Sequence, residues 1–274
     1  MFELVRLRDG LHTIRDLETG ETFHPVVGPM EEAAAIHIAP LDLANRLKGN
    51  DVFTVWDVGL GAGANAVALL EALAALPRPF CCRLVSFDLT LEPLRFAIEH
   101  ADALRYPVRW LAQLTALVRF GQTTVEFSPG GRVDWQLSLG DFTSLRSAPA
   151  PDGIIYDPYS PAKNQTMWSL VHFAALRTRL TNHTVLTSYS RSTAVRVTLL
   201  LAGFYVGIGG ATGEKDQTTV AATDLALLRH PLPASWLLRV RMSTSARPIG
   251  RGENGPIDAT DLRTLEQHPQ FAGV

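Results

Sequence analysis

The chain has 274 residues, 46% hydrophobic and 19% charged, with a formal net charge of −2. That balance excludes a disordered chain and gives no global basic footprint, so any nucleic-acid contact must be a local patch. Its two cysteines, Cys81 and Cys82, are adjacent, and its eight histidines lack metal-ligand spacing, so neither a disulfide framework nor a metal site is expected. The N-terminus has no apolar signal region and the longest apolar run, 197–208, is too short for a bilayer, so the expectation is cytoplasmic with no membrane anchor.

Residues 1–27 alternate weakly in hydrophobicity around turn signals at Asp9-Gly10 and Thr19-Gly20, which predicts a small β-hairpin appendage. Residues 29–47 are alanine-rich, with Glu31 and Glu32 in the first turn and Gly49 beyond the end, and read as one helix. Residues 52–70, VFTVWDVGLGAGANAVALL, change character twice: a β-branched apolar run, then Gly59, Gly61 and Gly63, then an apolar helix from Ala64. Strand, tight turn and helix follow one another there, and the glycines let a ligand lie against the backbone at the helix N-terminus.

CRLVSFD is a second buried strand ending on Asp88, where a carboxylate can accept both hydrogen bonds of a ribose diol. Residues 91–120 read as two helical pieces broken near Tyr106-Pro107. A hairpin then turns at Ser128-Pro129-Gly130-Gly131 and ends on Gly140-Asp141-Phe142, an acid and an aromatic suited to an adenine. Residues 151–168, PDGIIYDPYSPAKNQTMW, place Asp157 at the tip of a short buried strand, and prolines on both sides of Tyr159-Ser160 stiffen the loop. A strand at 184–192, a helix, and two last strands at 204–209 and 217–228, expected to pair antiparallel, complete the series. Residues 229–251 hold five arginines and no carboxylate. They are either a phosphate-binding patch or a surface paired with the chain's own acids.

The glycine spacing separates two ligand classes. A dinucleotide fingerprint is G-x-G-x-x-G, whereas this turn is G-x-G-x-G preceded by Asp57, an awkward neighbour for a pyrophosphate and a good one for a cation. The pattern is similar to that of class I S-adenosylmethionine (SAM) methyltransferases. With G-P-M-E-E, D-V-G-L-G-A-G-A-N, V-S-F-D, L-G-D-F and above all D-P-Y-S-P-A-K-N-Q-T-M-W in view, the chain resembles the tRNA 5-methylaminomethyl-2-thiouridine methyltransferase family (MnmC-like), in the form of a stand-alone methyltransferase domain.

That resemblance implies an α/β class I fold: a Rossmann-like doubly wound sheet of seven core strands with an antiparallel last strand. The methyltransferase domain would span 28–228, behind the hairpin 1–27 and before an extension 229–274. For the cofactor it implies Gly59, Gly61, Gly63 and Asn65 along the SAM amino-acid moiety with Glu32 and Asp57 nearby, Asp88 on the ribose, and Asp141 with Phe142 at the adenine. Asp157 would hold the amine to be methylated, with Pro158, Tyr159, Ser160, Lys163 and Asn164 shaping its pocket. The implied partner is tRNA, with a separate flavoprotein supplying the aminomethyl substrate; if the arginine stretch is a phosphate patch, Arg239 and Arg241 are its candidate contacts. Glu214 and Asp216 stand where relatives carry a basic run, which leaves open a class I methyltransferase acting on a different amine, a small molecule or another nucleic-acid base.

Overall fold

The computed structural model describes residues 1–8, 10–24, 27–47, 51–144, 148–212 and 216–271, so the predicted positions Asp9, Gly49 and Glu214 lie outside the described residues. Two antiparallel strands, β1 (Phe2–Arg6) and β2 (His12–Asp16), form a separate hairpin. The main sheet follows: β3 (Val52–Val58), β4 (Phe80–Asp88), β5 (Gln122–Phe127), β6 (Gly131–Leu139), β7 (Gly153–Tyr156), β8 (Val185–Ser188), β9 (Tyr205–Gly209) and β10 (Thr218–Ala222). Its order is β5-β6-β4-β3-β7-β8-β10-β9, with β10 antiparallel to both neighbours and β5 antiparallel at the opposite edge. The seven expected strands are present, and the turn at 128–131 adds an eighth as the edge strand β5.

The helices are α1 (Pro29–Ala33), α2 (Leu43–Arg46), α3 (Ala64–Ala74), α4 (Glu92–Glu99), α5 (Ala101–Leu104), α6 (Leu111–Phe120), α7 (Leu170–Arg177), α8 (Thr193–Leu201), α9 (Trp236–Met242) and α10 (Ala259–Glu266). Both faces of the sheet are covered, and the strands show why. Along β3, Phe53 and Val55 pack into one core, with α3 and α6, while Trp56 and Val58 pack into the other, with α7 and α8. Successive side chains leave opposite faces of a strand. A parallel strand buried on both faces therefore reads as the continuous apolar run seen in the sequence.

The expected single helix over 29–47 is broken. After α1 the chain widens into a π-helical segment, Ala34–Ile38, then a 3₁₀ turn, Ala39–Leu41, and Asp42 adopts a left-handed conformation before α2. Pro40 has no N–H to continue the ladder, so the helix must end or change pitch around it. Single π turns of this kind re-aim side chains. This one sends Ile36 and His37 inward, toward the end of the sheet where β3 and β7 stop.

β3 and β7 lie side by side and parallel, Val58 opposite Tyr156. Adjacent strands in such a sheet leave a crevice beyond their carboxyl ends, where ligands of doubly wound folds bind. Here the glycine turn after β3 and the proline-flanked loop after β7 close that crevice from two sides. The hairpin closes it from a third: Tyr159 Oη donates to Asp16 Oδ2 at 2.9 Å, and Ser160 N–H donates to Glu21 at 3.2 Å. Residues between Thr13 and His24 thus contribute a wall of the crevice.

Candidate active site

The crevice is a cavity of about 710 Å³, within the range of small-molecule and cofactor pockets. Its floor is the glycine turn. Gly59 has φ 91°, and a Cβ there would meet the Asp157 carbonyl oxygen at 2.7 Å. Only glycine combines that backbone with that approach. Gly61 N–H donates to Asp88 Oδ2 at 2.8 Å, which fastens the turn to the tip of β4. Gly63 caps α3, whose first residues, Ala64 and Asn65, face the cavity.

Asp157 stands over the turn. Asn65 Nδ2 donates to its Oδ2 at 2.6 Å, His24 Nε2 lies 3.9 Å from the same oxygen, and His37 Nε2 lies 3.7 Å from Oδ1. Burial pushes this carboxyl up, but His37, His24 and the Asn65 amide together outweigh it and hold Asp157 below the ordinary carboxylate range. It is a carboxylate across neutral pH.

The loop that follows is pinned. Trp168 Nε1 donates to the Tyr159 carbonyl at 2.8 Å, Tyr189 Oη donates to the Pro158 carbonyl at 3.2 Å, and the Tyr156 hydroxyl donates to the Met167 carbonyl. The Trp that ends the loop motif therefore has a structural job: it returns to hold the loop's crest. Pro158, Tyr159, Ser160 and Asn164 line the cavity, whereas Lys163 is exposed outside it.

At the opposite end, Asp88 and the Asp141-Phe142 pair line the same space, and Phe142 packs edge-on against Phe87 at 4.9 Å. Burial raises the Asp88 carboxyl against the lowering pull of the Gly61, Thr90 and Leu89 N–H groups. Glu32 is buried in the wall, accepting from Val27 N–H at 3.1 Å.

Among the expected cofactor residues, Gly63 and Asp57 do not line the cavity, and Asp57 is buried beneath the turn. Its position alternates away from Trp56 and Val58, into the core shared with α3. There Ser86 Oγ donates to it at 2.8 Å and Trp135 Nε1 donates to Ser86 at 3.0 Å. Burial pushes Asp57 up to about 7, Ser86 resists, and the Asp157 and Asp88 charges add to the rise.

The charge of the lining decides what fits. Glu21, Glu32, Asp88, Asp141 and Asp157 line the cavity, and among the described residues no lysine or arginine does. A pyrophosphate would meet no cation there. A ligand carrying an ammonium and a sulfonium would, by contrast, complement the wall. Asn65 Oδ1 is buried with no hydrogen-bond partner, an acceptor waiting for a donor. The glycine cradle, the acidic lining and this orphan oxygen fit SAM.

Arg239 and Arg241 lie on α9. Arg241 is bound to Glu266 at 2.7 Å, and Arg239 Nε approaches Thr193 at 3.5 Å. Elsewhere in the arginine-rich stretch, Arg229 pairs with Asp42 at 2.8 Å and Arg251 with Asp261 at 3.8 Å. Asp216 accepts from Arg191 at 3.2 Å.

Sequence reasoning did not single out His24, His37, Glu21, Phe23 and Tyr189. His37 sits among alanines and isoleucines in what reads as a regular helix, and only the π turn aims it inward. The hairpin residues carry no motif and are recruited by tertiary contact.

Among the described residues no helix is long and apolar enough to cross a membrane. A family model described as S-adenosyl-L-methionine-dependent methyltransferase matches residues 110–224. The chain is similar to "tRNA 5-methylaminomethyl-2-thiouridine biosynthesis bifunctional protein MnmC" of Burkholderia vietnamiensis, 32% identical over 279 residues, covering 95% of this chain and 42% of the relative. The protein of that name from Methylibium petroleiphilum is 30% identical over 246 residues, covering 87% and 37%. The chain thus spans about two fifths of the length of these relatives. Among solved structures, MNMC2 from Aquifex aeolicus superposes with a TM-score of 0.70 at 23% identity, covering 97% of this chain and 82% of that one, a likeness of fold.

The buried Asp57 gives this site a pH signature. Its folded value of about 7 exceeds the ordinary carboxylate value. The stability this group contributes is therefore present below about pH 4 and lost as pH rises through about 7. Asp57→Asn removes that loss. The variant's stability relative to wild type should improve by about 2–3 kcal/mol between pH 5 and pH 8 in urea titrations. A difference that does not change with pH would show that Asp57 titrates normally.

Proposed function

This chain is an SAM-dependent methyltransferase that resembles the MnmC proteins, and we propose that it methylates a primary amine on tRNA, the aminomethyl group of 5-aminomethyl-2-thiouridine at the wobble position. The observation that carries the reading is Asp157: an ionised carboxylate held over the glycine turn, at the edge of a stiffened loop, in a cavity with no lysine or arginine in its described lining. Bound SAM supplies an electrophilic methyl group.

The residues divide the work. The turn of Gly59, Gly61 and Gly63, with Asn65 and Glu32, holds the cofactor's amino-acid end. Asp57 adds negative potential from beneath the turn, Asp88 takes the ribose hydroxyls, and Asp141 and Phe142 take the adenine. Asp157 anchors the substrate ammonium, so that its nitrogen is placed by a fixed carboxylate and most of the rate gain is positional. Pro158, Tyr159, Ser160 and Asn164 shape the amine's approach, and the exposed Lys163 meets the RNA at the rim.

We treat 28–228 as the catalytic domain and 229–274 as an extension that carries Arg239 and Arg241 to the RNA backbone. The Arg241–Glu266 pair is solvent-exposed and such pairs contribute little, so a phosphate can displace Glu266. We propose that a flavoprotein makes the aminomethyl substrate and that the reaction takes place in the cytoplasm.

The test is transfer of labelled methyl from SAM to tRNA from cells lacking this enzyme, followed by nucleoside analysis. Label should appear in 5-methylaminomethyl-2-thiouridine. Asp157→Ala should lower kcat/KM by at least about 10²-fold while SAM still binds. No label with the wild type, or full turnover by the variant, contradicts the reading. Charge reversal at Arg239 and Arg241 should weaken tRNA binding and flatten its salt dependence, with SAM affinity unchanged. Unaltered, salt-insensitive tRNA binding would remove these arginines from the interface.

A further inference from the structure

An RNA substrate sets an electrostatic condition at the mouth of this site. The described lining of the cavity carries five carboxylates and no lysine or arginine, so the phosphodiesters on either side of the target nucleotide need cations outside it. In the arginine-rich stretch, Arg229, Arg241 and Arg251 are already matched by Asp42, Glu266 and Asp261. Arg239 is not, and it lies against a second unneutralised arginine where α8 begins.

Arg196 lies one turn into α8 and is 3% exposed. Long side chains on a helix point back toward its N-terminus. This guanidinium reaches Thr219 Oγ1 at 3.0 Å, Gln217 Oε1 at 3.0 Å and the Thr218 carbonyl at 2.9 Å. All three acceptors are neutral. Among the described residues no carboxylate pairs with Arg196, and Asp216 acts on it only from a distance. Burial, then the Arg239 charge, pulls the group down to about 10, so it is still a cation at neutral pH. Arg239 comes from α9, is exposed, and directs Nε to Thr193 Oγ1 at 3.5 Å, again a neutral acceptor. Two like charges thus lie within each other's field with no described anion between them. A buried charge without a counter-ion is costly, and an anion at this place offsets the cost.

A third arginine completes the cluster. Arg191 stands two residues before Thr193 and pairs with Asp216 at 3.2 Å, but both side chains are mostly exposed, at 58% and 74%, and such pairs contribute little. It can exchange Asp216 for a stronger anion. The chain itself places the cluster beside the site: Tyr189 lines the cavity, the Thr219 hydroxyl that accepts from Arg196 donates to the Ser190 carbonyl at 2.6 Å, and Arg191 follows. Two residues span at most about 7 Å, so Arg191 stands at the cavity rim.

We propose that Arg191 and Arg239, with Arg196 buried beneath them, form a phosphate-binding site at the cavity rim that takes a phosphodiester of the RNA next to the methylated nucleotide. The occupant's identity as RNA rests on the tRNA reading, whereas the anion site itself does not. Arginine suits this ligand, because its planar fork offers a phosphate two parallel N–H donors. Arg239 supplies the accessible fork, Arg196 supplies potential that salt screens little because it is buried, and Arg191 closes on the phosphate once it leaves Asp216. The two arginines of α9 also become unequal: Arg241 must first give up Glu266, whereas Arg239 has no described acid to release.

Two measurements on the full chain decide the matter. In the first, the arginine Nε–H signals of the wild-type protein are followed by NMR as inorganic phosphate replaces chloride at constant ionic strength. Arg239 and Arg196 should shift saturably, while Arg119, on α6 beside the edge strand β5 at the far side of the sheet, should not. No saturable shift at Arg239, or the same shift at every exposed arginine, overturns the site. In the second, tRNA binding by wild type and by Arg239→Gln is measured against salt. The variant should bind about 5–10-fold more weakly at about 0.1 M salt, and its slope of log K against log salt should be shallower by about 1. SAM affinity should be unchanged. Saturable phosphate binding in the wild type, with tRNA binding the same in both proteins, would make this a site for the free ion and overturn its assignment to RNA. Failure of the wild type to methylate tRNA would count against the methyl-acceptor reading alone, and the phosphate titration would still decide the site.

Discussion

The site depends on one close approach. The Asp157 carbonyl occupies the space that a Cβ on residue 59 would fill. That contact is available because β3 and β7 run parallel in register and both stop at the same level, with Asp157 N–H donating to the Val58 carbonyl at 2.9 Å. The glycine turn and the loop after β7 are thus one backbone unit, which is why the proposed cofactor and substrate positions are coupled. Anything that moves the turn also moves the carboxylate, so a Cβ at residue 59 is felt at both halves of the site. The same unit is tied outward, through Gly61 to Asp88 on β4 and through Tyr159 and Ser160 to the hairpin.

Electrostatics then separates two aspartates by their surroundings. The Asp157 charge lies close enough to Asp57 to raise its cost of ionisation. Yet Asp57 is pushed up to about 7 in an apolar core with one hydroxyl donor, while Asp157 is held low by two histidines and an amide. Carboxylates whose environments drive them apart in this way take different roles. The upper one stays ionised. The lower one lies beneath the turn and, raised to about 7, is partly protonated at neutral pH. The described cavity lining holds five carboxylates and no lysine or arginine.

Much of the frame was legible in the sequence because local pattern and tertiary role coincide there. The strand, glycine turn and helix at 52–70, the acid at the end of β4 and the proline-flanked loop after Asp157 each announce themselves by composition. Gly59, Asn65, Asp88, Asp141, Phe142, Asp157 and Asn164 all come to one cavity, although they arrive from four separate connections. Asp57 was misplaced for a simple reason: adjacency to the glycines says nothing about which face of β3 a side chain leaves, and the period of two sends it under the turn. His37 was invisible because one extra residue in a helical turn rotates a side chain without changing its composition. The hairpin looked separable because its hydrogen bonds to Tyr159 and Ser160 join residues about 140 positions apart, and no local pattern encodes such a pairing. The arginine stretch was readable as two things, and the structure shows Arg229, Arg241 and Arg251 paired with acids of the chain itself.

A crystal structure with S-adenosylhomocysteine and a 5-aminomethyl-2-thiouridine nucleotide bound together would test the assignment of Asp157 most directly. The amine nitrogen should lie about 2.7–3.2 Å from an Asp157 carboxylate oxygen, on the side of the cavity that faces the cofactor sulfur. An amine bound elsewhere, with Asp157 still engaged only by Asn65 and the two histidines, would contradict it.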